Sequence, residues 1–146
     1  MLNRGYAFDT IQMPLNPLDP NFRSFESNVL PVKKDRGIAV LGMKSMGGSG
    51  ELIAKGTFTP AQALSYAMSL SVAATIRGMD SLEVLDQNLE ILRNFKTLSA
   101  DSMQTLRDHG KQFDDGRYEL YKSTIKCDRD LGRSQHGYPS RAELPV

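Results

Sequence analysis

Apolar residues follow two rhythms along this chain. Apolar runs of strand length occur at Ile38 to Leu41 and Val72 to Ile76, and Phe8 to Met13 is a short mixed strand ending at Pro14. Between and after them, apolar residues recur at helical spacing. Phe22, Phe25, Val29 and Leu30 predict a helix over Asn21 to Lys34, with a kink or an end at Pro31. Ala63, Leu64, Ala67 and Met68 form one face of a helix that starts at Thr59-Pro60-Ala61-Gln62. There Thr59 can cap, Pro60 suits the first turn and Gln62 can close a capping box. Leu82, Leu85, Leu89 and Leu92 stripe a helix ending near Arg93, with Asp80 as cap and Glu83 as its box partner. Ser99 to His109 predicts one more helix, stopped by Gly110. From Asp114 onward the chain is mostly polar. Tyr118, Leu120 and Tyr121 could dock, and Leu131 to Val146 reads as a loose tail.

The order is strand, helix, strand, helix, strand, helix, helix, tail. Such alternation predicts an α/β fold: a parallel sheet, right-handed crossovers and helices packed outside. The continuous run Ile38 to Leu41 suits a strand covered on both faces. An open doubly wound sheet and a slice of an eightfold barrel fit equally well. Both place ligands at the C-terminal ends of the strands. That puts Gln12 to Asn16, Gly42 to Gly50 and Arg77 to Asp80 on one rim. The opening, Met1 to Tyr6, reads as the end of a helix, so the domain is expected to have lost its start.

Composition narrows the function. The 146 residues carry a net charge of +1 at pH 7, and no aromatic residues interleave with a basic patch, so no nucleic-acid partner is expected. No run approaches the ~18 apolar residues of a membrane span, and no signal segment opens the chain. Cys127 is the single cysteine, which excludes an internal disulfide and fits a reducing cytoplasm. His109 and His136 are the only histidines and do not pair into a metal site or a nucleophile–base dyad.

Four segments could carry chemistry. In Gly42-Met43-Lys44-Ser45-Met46-Gly47-Gly48-Ser49-Gly50, glycine backbone N–H groups could cradle a phosphate beside Lys44 and Ser45. The alternative is a flexible strand-to-helix connection. The spacing matches neither a Walker loop nor the GxGxxG fingerprint. Arg77-Gly78-Met79-Asp80 precedes a helix N-terminus, a ready anion site, or is an ordinary turn. Gln12 and Asn16, at a strand end, could bind another amide or anchor loops. Gln87 and Asn88 read, by composition, as a solvated helix face.

Three stretches together resemble aldo/keto reductases: Phe8 to Asn16 (FDTIQMPLN), Gly37 to Gly48 (GIAVLGMKSMGG) and Ile76 to Leu89 (IRGMDSLEVLDQNL), in that family's order and spacing. Asp115 to Lys122 (DGRYELYK) looks like a bacterial branch of it. The resemblance implies a partial (β/α)8 TIM barrel: the last three strand–helix units over residues 1–113, then a partly disordered C-terminal extension over 114–146. The implied reaction is hydride transfer between NADP(H) and a small carbonyl substrate, with NAD as the alternative cofactor. The family's catalytic Asp, Tyr, Lys and His match no position here, so the chain alone is expected to be inactive. On the cofactor side, Gln12 matches the glutamine at the nicotinamide carboxamide. Met43 falls where many relatives stack an aromatic ring. Lys44, Ser45, Met46 and Gly47 fall in the pyrophosphate loop, with Lys44 where many relatives have serine. Gly78, Met79 and Asp80 fall near the 2′-phosphate. Val84 stands where NADP-preferring relatives usually have arginine. Gln87 and Asn88 match the pair near adenine, which turns that pair from solvated face to candidate site.

Two other readings remain: a non-catalytic nucleotide-binding module, and a half-barrel completed by a partner chain. Three strands cut from a barrel expose two edges and one apolar face. Ile38, Val40, Leu41, Val72 and Ile76 are expected to lose neighbours there, and self-association through the edges is expected.

Overall fold

The computed structural model describes residues 6–48, 50–113, 118–122, 130–135 and 137–143. Strand β1 (Thr10–Pro14) leads to a 3-10 turn at Asp19–Asn21 and helix α1 (Phe25–Asp35). Strand β2 (Ala39–Met43) is followed by a short helix α2 (Glu51–Ala54) and helix α3 (Pro60–Ser69). Strand β3 (Ala74–Thr75) precedes helices α4 (Leu82–Arg93) and α5 (Ala100–Gly110). A 3-10 turn at Leu120–Lys122 and a short helix α6 (Asp130–Gln135) lie beyond.

The sheet is parallel, in the order β1-β2-β3, with Gln12 opposite Leu41 and Leu41 opposite Ala74. Hydrogen bonds from Ala73 N to Val40 O (2.8 Å) and from Ile76 N to Gly42 O (2.7 Å) extend the short β3 ladder. Pro14 is tolerated because β1 is an edge strand. Leu15 N donates to Met43 O at 2.9 Å, so the alternate position 14 faces the open edge and no ladder bond is lost.

One face of the sheet is packed. Met13, Leu15 and Val40 are buried there against Phe25, Val29 and Leu30 of α1 and against Leu70 and Val72. A larger core joins Leu18, Met46, Leu52, Phe58, Leu64, Tyr66, Met103 and Leu106. Ile38 and Val40, both expected to lose neighbours in a cut barrel, are buried at 5% and 0% exposure. Val72 is half-buried. The opposite face carries Thr10, Gln12 and Ala74 exposed, with Ala39, Leu41 and Met43 half-buried, and Ile76 is 44% exposed beside it.

Helix α1 departs from its sequence expectation at its start, and its end falls one residue past the expected Lys34. It starts at Phe25 rather than Asn21 because Ser24 caps it, accepting from Ser27 N at 2.8 Å, and Asp19 accepts from Phe25 N and Glu26 N. It runs through Pro31 to Asp35. The segment past the proline is pinned: Lys33 Nζ donates to Ser71 O at 2.6 Å and Lys33 O accepts from Ile38 N at 3.1 Å. The α3 capping box is formed as expected, with Thr59 and Gln62 exchanging backbone–side-chain bonds.

Helix α4 is capped by Ser81, not Asp80. Ser81 Oγ accepts from Val84 N at 3.2 Å. The N–H of Glu83 and the Ser81 hydroxyl hold the Glu83 carboxyl below its usual range. Its leucine stripe is only partly used. Leu82 and Leu92 are 75% and 57% exposed, Leu85 and Leu89 are half-buried, and Ile91 reaches the core beside buried Asn88. Tyr118 docks on the larger core as expected. The expected loose tail contains α6 and a 3-10 turn at Arg141–Glu143. Cys127, His136 and the opening five residues lie outside the described residues.

Candidate functional site

The C-terminal ends of the strands converge on two adjoining clefts. The smaller, about 280 Å³, is lined by Gln12, Met43, Lys44, Ser45, Met46, Gly47, Gly48, Ile76, Arg77 and Gly78. The larger, about 720 Å³, continues past Met46, Gly47, Gly48, Arg77 and Gly78. It runs to Gly50, Ile53, Ala54, Pro60, Met79, Asp80, Val84 and Gln87. All the candidate cofactor residues except Asn88 line one cleft or the other. Asn88 follows Gln87 on α4 and is 9% exposed, with both side-chain amide atoms buried and without a hydrogen-bond partner among the described residues. A separate depression of about 430 Å³ lies against Tyr6 to Thr10. It sits at the N-terminal ends of the strands, where parallel α/β sheets do not place ligands.

The loop after β2 forms the floor. Gly47 N donates to Lys44 O at 3.0 Å, closing a turn. Gly47 has φ +86°, and an added Cβ would lie 3.1 Å from Glu51 Oε2 and 3.3 Å from Leu52 Cγ. Lys44, with φ +53°, occupies the left-handed region although it is not glycine. Ser45 is 1% exposed, and its hydroxyl has no partner among the described residues. Arg77 buries its Nε in the same unpartnered way. Two buried polar groups that line the clefts thus lack partners among the described residues, as do the Asn88 amide and the hydroxyls of Thr57 and Thr75, which line neither cleft. Such groups cost free energy unless something satisfies them. At the strand ends, the Gln12 amide donates to the Met43 sulfur at 3.2 Å, placing both side chains on the less covered face of the sheet.

Asn16 behaves differently from Gln12. It is 0% exposed and anchors loops. Its Oδ1 accepts from Leu18 N and Asp19 N, at 2.9 and 3.1 Å. Its Nδ2 reaches Glu119 Oε1 at 3.2 Å, Tyr121 OH at 3.2 Å and Lys44 O at 3.4 Å. The anchoring reading of that residue holds. Sequence reasoning missed Ile53, Ala54 and Pro60, which wall the larger cleft, because nothing in their residue types signals a ligand.

Gly47→Ala is expected to cost about 1–2 kcal/mol through its left-handed backbone, and crowding by Glu51 and Leu52 adds to this. At roughly 2–4 °C per kcal/mol, a thermal melt will show it. Gly48→Ala is the control, since its nearest neighbour would be 3.8 Å away. Equal melting of the two variants would contradict the geometry described for this loop.

No protein-family model matches the chain, and no curated protein matches it. Two solved structures are similar to it: the apo and holo forms of aldo-keto reductase AKR11C1 from Bacillus halodurans, each at 17% identity and a TM-score of 0.54. The likeness covers 74% of this chain, and 45% of the apo and 44% of the holo reductase chain. The chain therefore matches less than half the length of those proteins. At this identity the likeness is one of fold. The three-stranded parallel sheet with its helices is similar in fold to part of those aldo-keto reductase chains. No helix among the described residues is long and apolar enough to cross a membrane, and no cluster of metal-ligating side chains occurs among them.

Proposed function

We propose that this chain is the cofactor-holding part of an aldo/keto reductase barrel and that its two clefts take one NADP(H). The observation that carries this reading is the pair of unpartnered buried groups that line the adjoining clefts, Ser45 Oγ and Arg77 Nε, with the unpartnered Asn88 amide one residue beyond Gln87. A dinucleotide fits that donor and acceptor set. Gln12 would hold the carboxamide, with Met43 packed near the nicotinamide. Ser45, Met46 and Gly47 would meet the pyrophosphate beside Lys44. Gly78, Met79 and Asp80 would border the phosphorylated ribose, with Arg77 the nearby cation, and Gln87 and Asn88 would meet the adenine. Val84 brings no charge to the 2′-phosphate, so NAD is the alternative. When bound, the cofactor supplies a hydride donor for a carbonyl substrate. This chain's residues orient it and neutralise its phosphates. We assign no catalytic residue, because turnover needs an acid and its partners from the remainder of a barrel. A single cysteine and a dinucleotide ligand fit the cytoplasm.

Fluorescence titration with NADPH and NADH tests the reading. Saturable binding is expected, with Ser45→Ala and Asn88→Ala each weakening it about fivefold, a loss of about 1 kcal/mol. Absence of saturation, or variants that bind like the parent, would remove the site.

The outer edges of β1 and β3 pair with nothing among the described residues, and Leu82, Leu92 and Ile76 are exposed. These features support pairing with further barrel units, a partner chain or a second copy. Sedimentation of this chain by itself should then show species heavier than a monomer. A sharp monomer boundary at all concentrations contradicts that.

A further inference from the structure

The segment from Tyr118 to Lys122 reaches across the end of the sheet and touches the loop proposed to hold the pyrophosphate. The Tyr121 hydroxyl donates to Glu119 Oε1 at 2.9 Å and accepts from Asn16 Nδ2 at 3.2 Å. The same Asn16 amide reaches Lys44 O at 3.4 Å, so one side chain joins this segment to the loop after β2. The Lys44 ammonium lies over the Tyr121 ring, 5.3 Å from its centroid. Lys122 fastens the segment from below, with ion pairs to Asp19 at 2.8 Å and Glu119 at 2.9 Å and a bond to Phe22 O at 2.7 Å.

Lys44 needs such support. A left-handed backbone is unfavourable for lysine and persists only where the surroundings over-determine it. Gly47 N holds its carbonyl from within the loop and Asn16 Nδ2 from outside, while the Tyr121 ring holds its ammonium. An anion bound at Ser45 and Gly47 would then find its neighbouring cation already placed, and binding would spend less entropy on ordering the loop.

We propose that residues 118–122 form a strap that presets the loop after β2, with Tyr121 acting as a positioning residue for Lys44. The consequence for affinity rests on the proposed NADP(H) site; the strap itself does not. Removing the ring frees the ammonium and the Lys44 backbone, and ligand must then order the loop as it binds.

Hydrogen–deuterium exchange and NADPH titration on the whole chain test this with Tyr121→Leu, Tyr121→Phe and Lys44→Met. In Tyr121→Leu, amides of residues 44–48 should exchange about tenfold faster while α3 and α5 keep their rates. NADPH affinity should fall roughly fivefold. Tyr121→Phe keeps the ring over Lys44 and should restore affinity to within about twofold of the parent. Should Tyr121→Leu not fold, Lys44→Met removes the same contact from the other side and should quicken the same amides. Unchanged exchange at 44–48 in Tyr121→Leu, or in Lys44→Met where Tyr121→Leu does not fold, overturns the strap, as does an equal rise across α3 and α5. If the parent binds no NADPH, the functional reading falls, and the exchange pattern still decides the strap.

Discussion

Lys122→Met is expected to cost about 3–5 kcal/mol, which is a large part of the ~5–15 kcal/mol typical of a domain. The Lys122, Asp19 and Glu119 side chains are at most 3% exposed, and the ammonium lies within 2.9 Å of a carboxylate oxygen of each acid. It also donates to Asp19 O at 3.2 Å and Phe22 O at 2.7 Å. Methionine fills the volume but leaves two buried carboxylates facing each other without a cation. Asp19 keeps its bonds to Ser24, Phe25 N and Glu26 N, so the uncompensated charge cannot swing into water without loosening the start of α1. A urea melt measures the loss. The Lys122→Met/Asp19→Asn double variant should recover part of it, because it removes one of the stranded charges. A shift under 1 kcal/mol in the single variant would mean the network is not formed in solution.

The second large effect belongs to Tyr66, which is 0% exposed. Its hydroxyl donates to Glu26 Oε2 at 2.7 Å and accepts from Arg107 Nε at 2.9 Å, while Arg107 pairs with Glu26 at 2.8 Å. One phenol therefore ties α3 to α1 and α5. Tyr66→Ala is expected to cost about 3–5 kcal/mol, mostly as a cavity. Tyr66→Phe should cost about 1–2 kcal/mol, because it leaves both partners short of a bond.

Burial, then the nearby Glu26 charge, holds the Tyr66 hydroxyl far above its ordinary value of 10.0, against the opposing pull of Arg107. Burial followed by Glu119 does the same for Tyr121. Above pH ~10 the unfolded chain releases these protons and the fold keeps them. The unfolded state then binds fewer protons, so stability is fully present below that pH and falls above it. The slope is about 1.4 kcal/mol per pH unit for each group. Tyr66→Phe should remove one group's share of the slope. An unchanged slope would place the Tyr66 hydroxyl in water.

The parallel α/β order was legible because strand-length apolar runs alternate with helical stripes, and the α3 capping box was legible from four consecutive residues. The α4 face was not. Its leucines dominate the stripe, yet Ile91 reaches the core beside Asn88, since tertiary packing chooses the face and not leucine content. Pro31 does not end the helix, because the turn beyond it is tied down through Lys33, whose partner Ser71 lies 38 residues away and leaves no local signal. At the site, the glycine loop and the turn after β3 stood out by their residue types. Arg77 was visible as a nearby charge, but its buried Nε was not. The Asp19–Glu119–Lys122 network left no local signal: Asp19 reads as a loop acid, and its partner lies about a hundred residues away, so only the fold brings them together.

Chemical-shift mapping of the ¹⁵N-labelled chain on addition of NADP⁺ decides whether the clefts take a dinucleotide. A site there gives saturable shifts gathered at Gln12, Met43 to Gly48, Arg77 to Asp80 and Gln87 to Asn88, with α5 unmoved. Shifts scattered elsewhere, or none at millimolar cofactor, would contradict a dinucleotide site in these clefts.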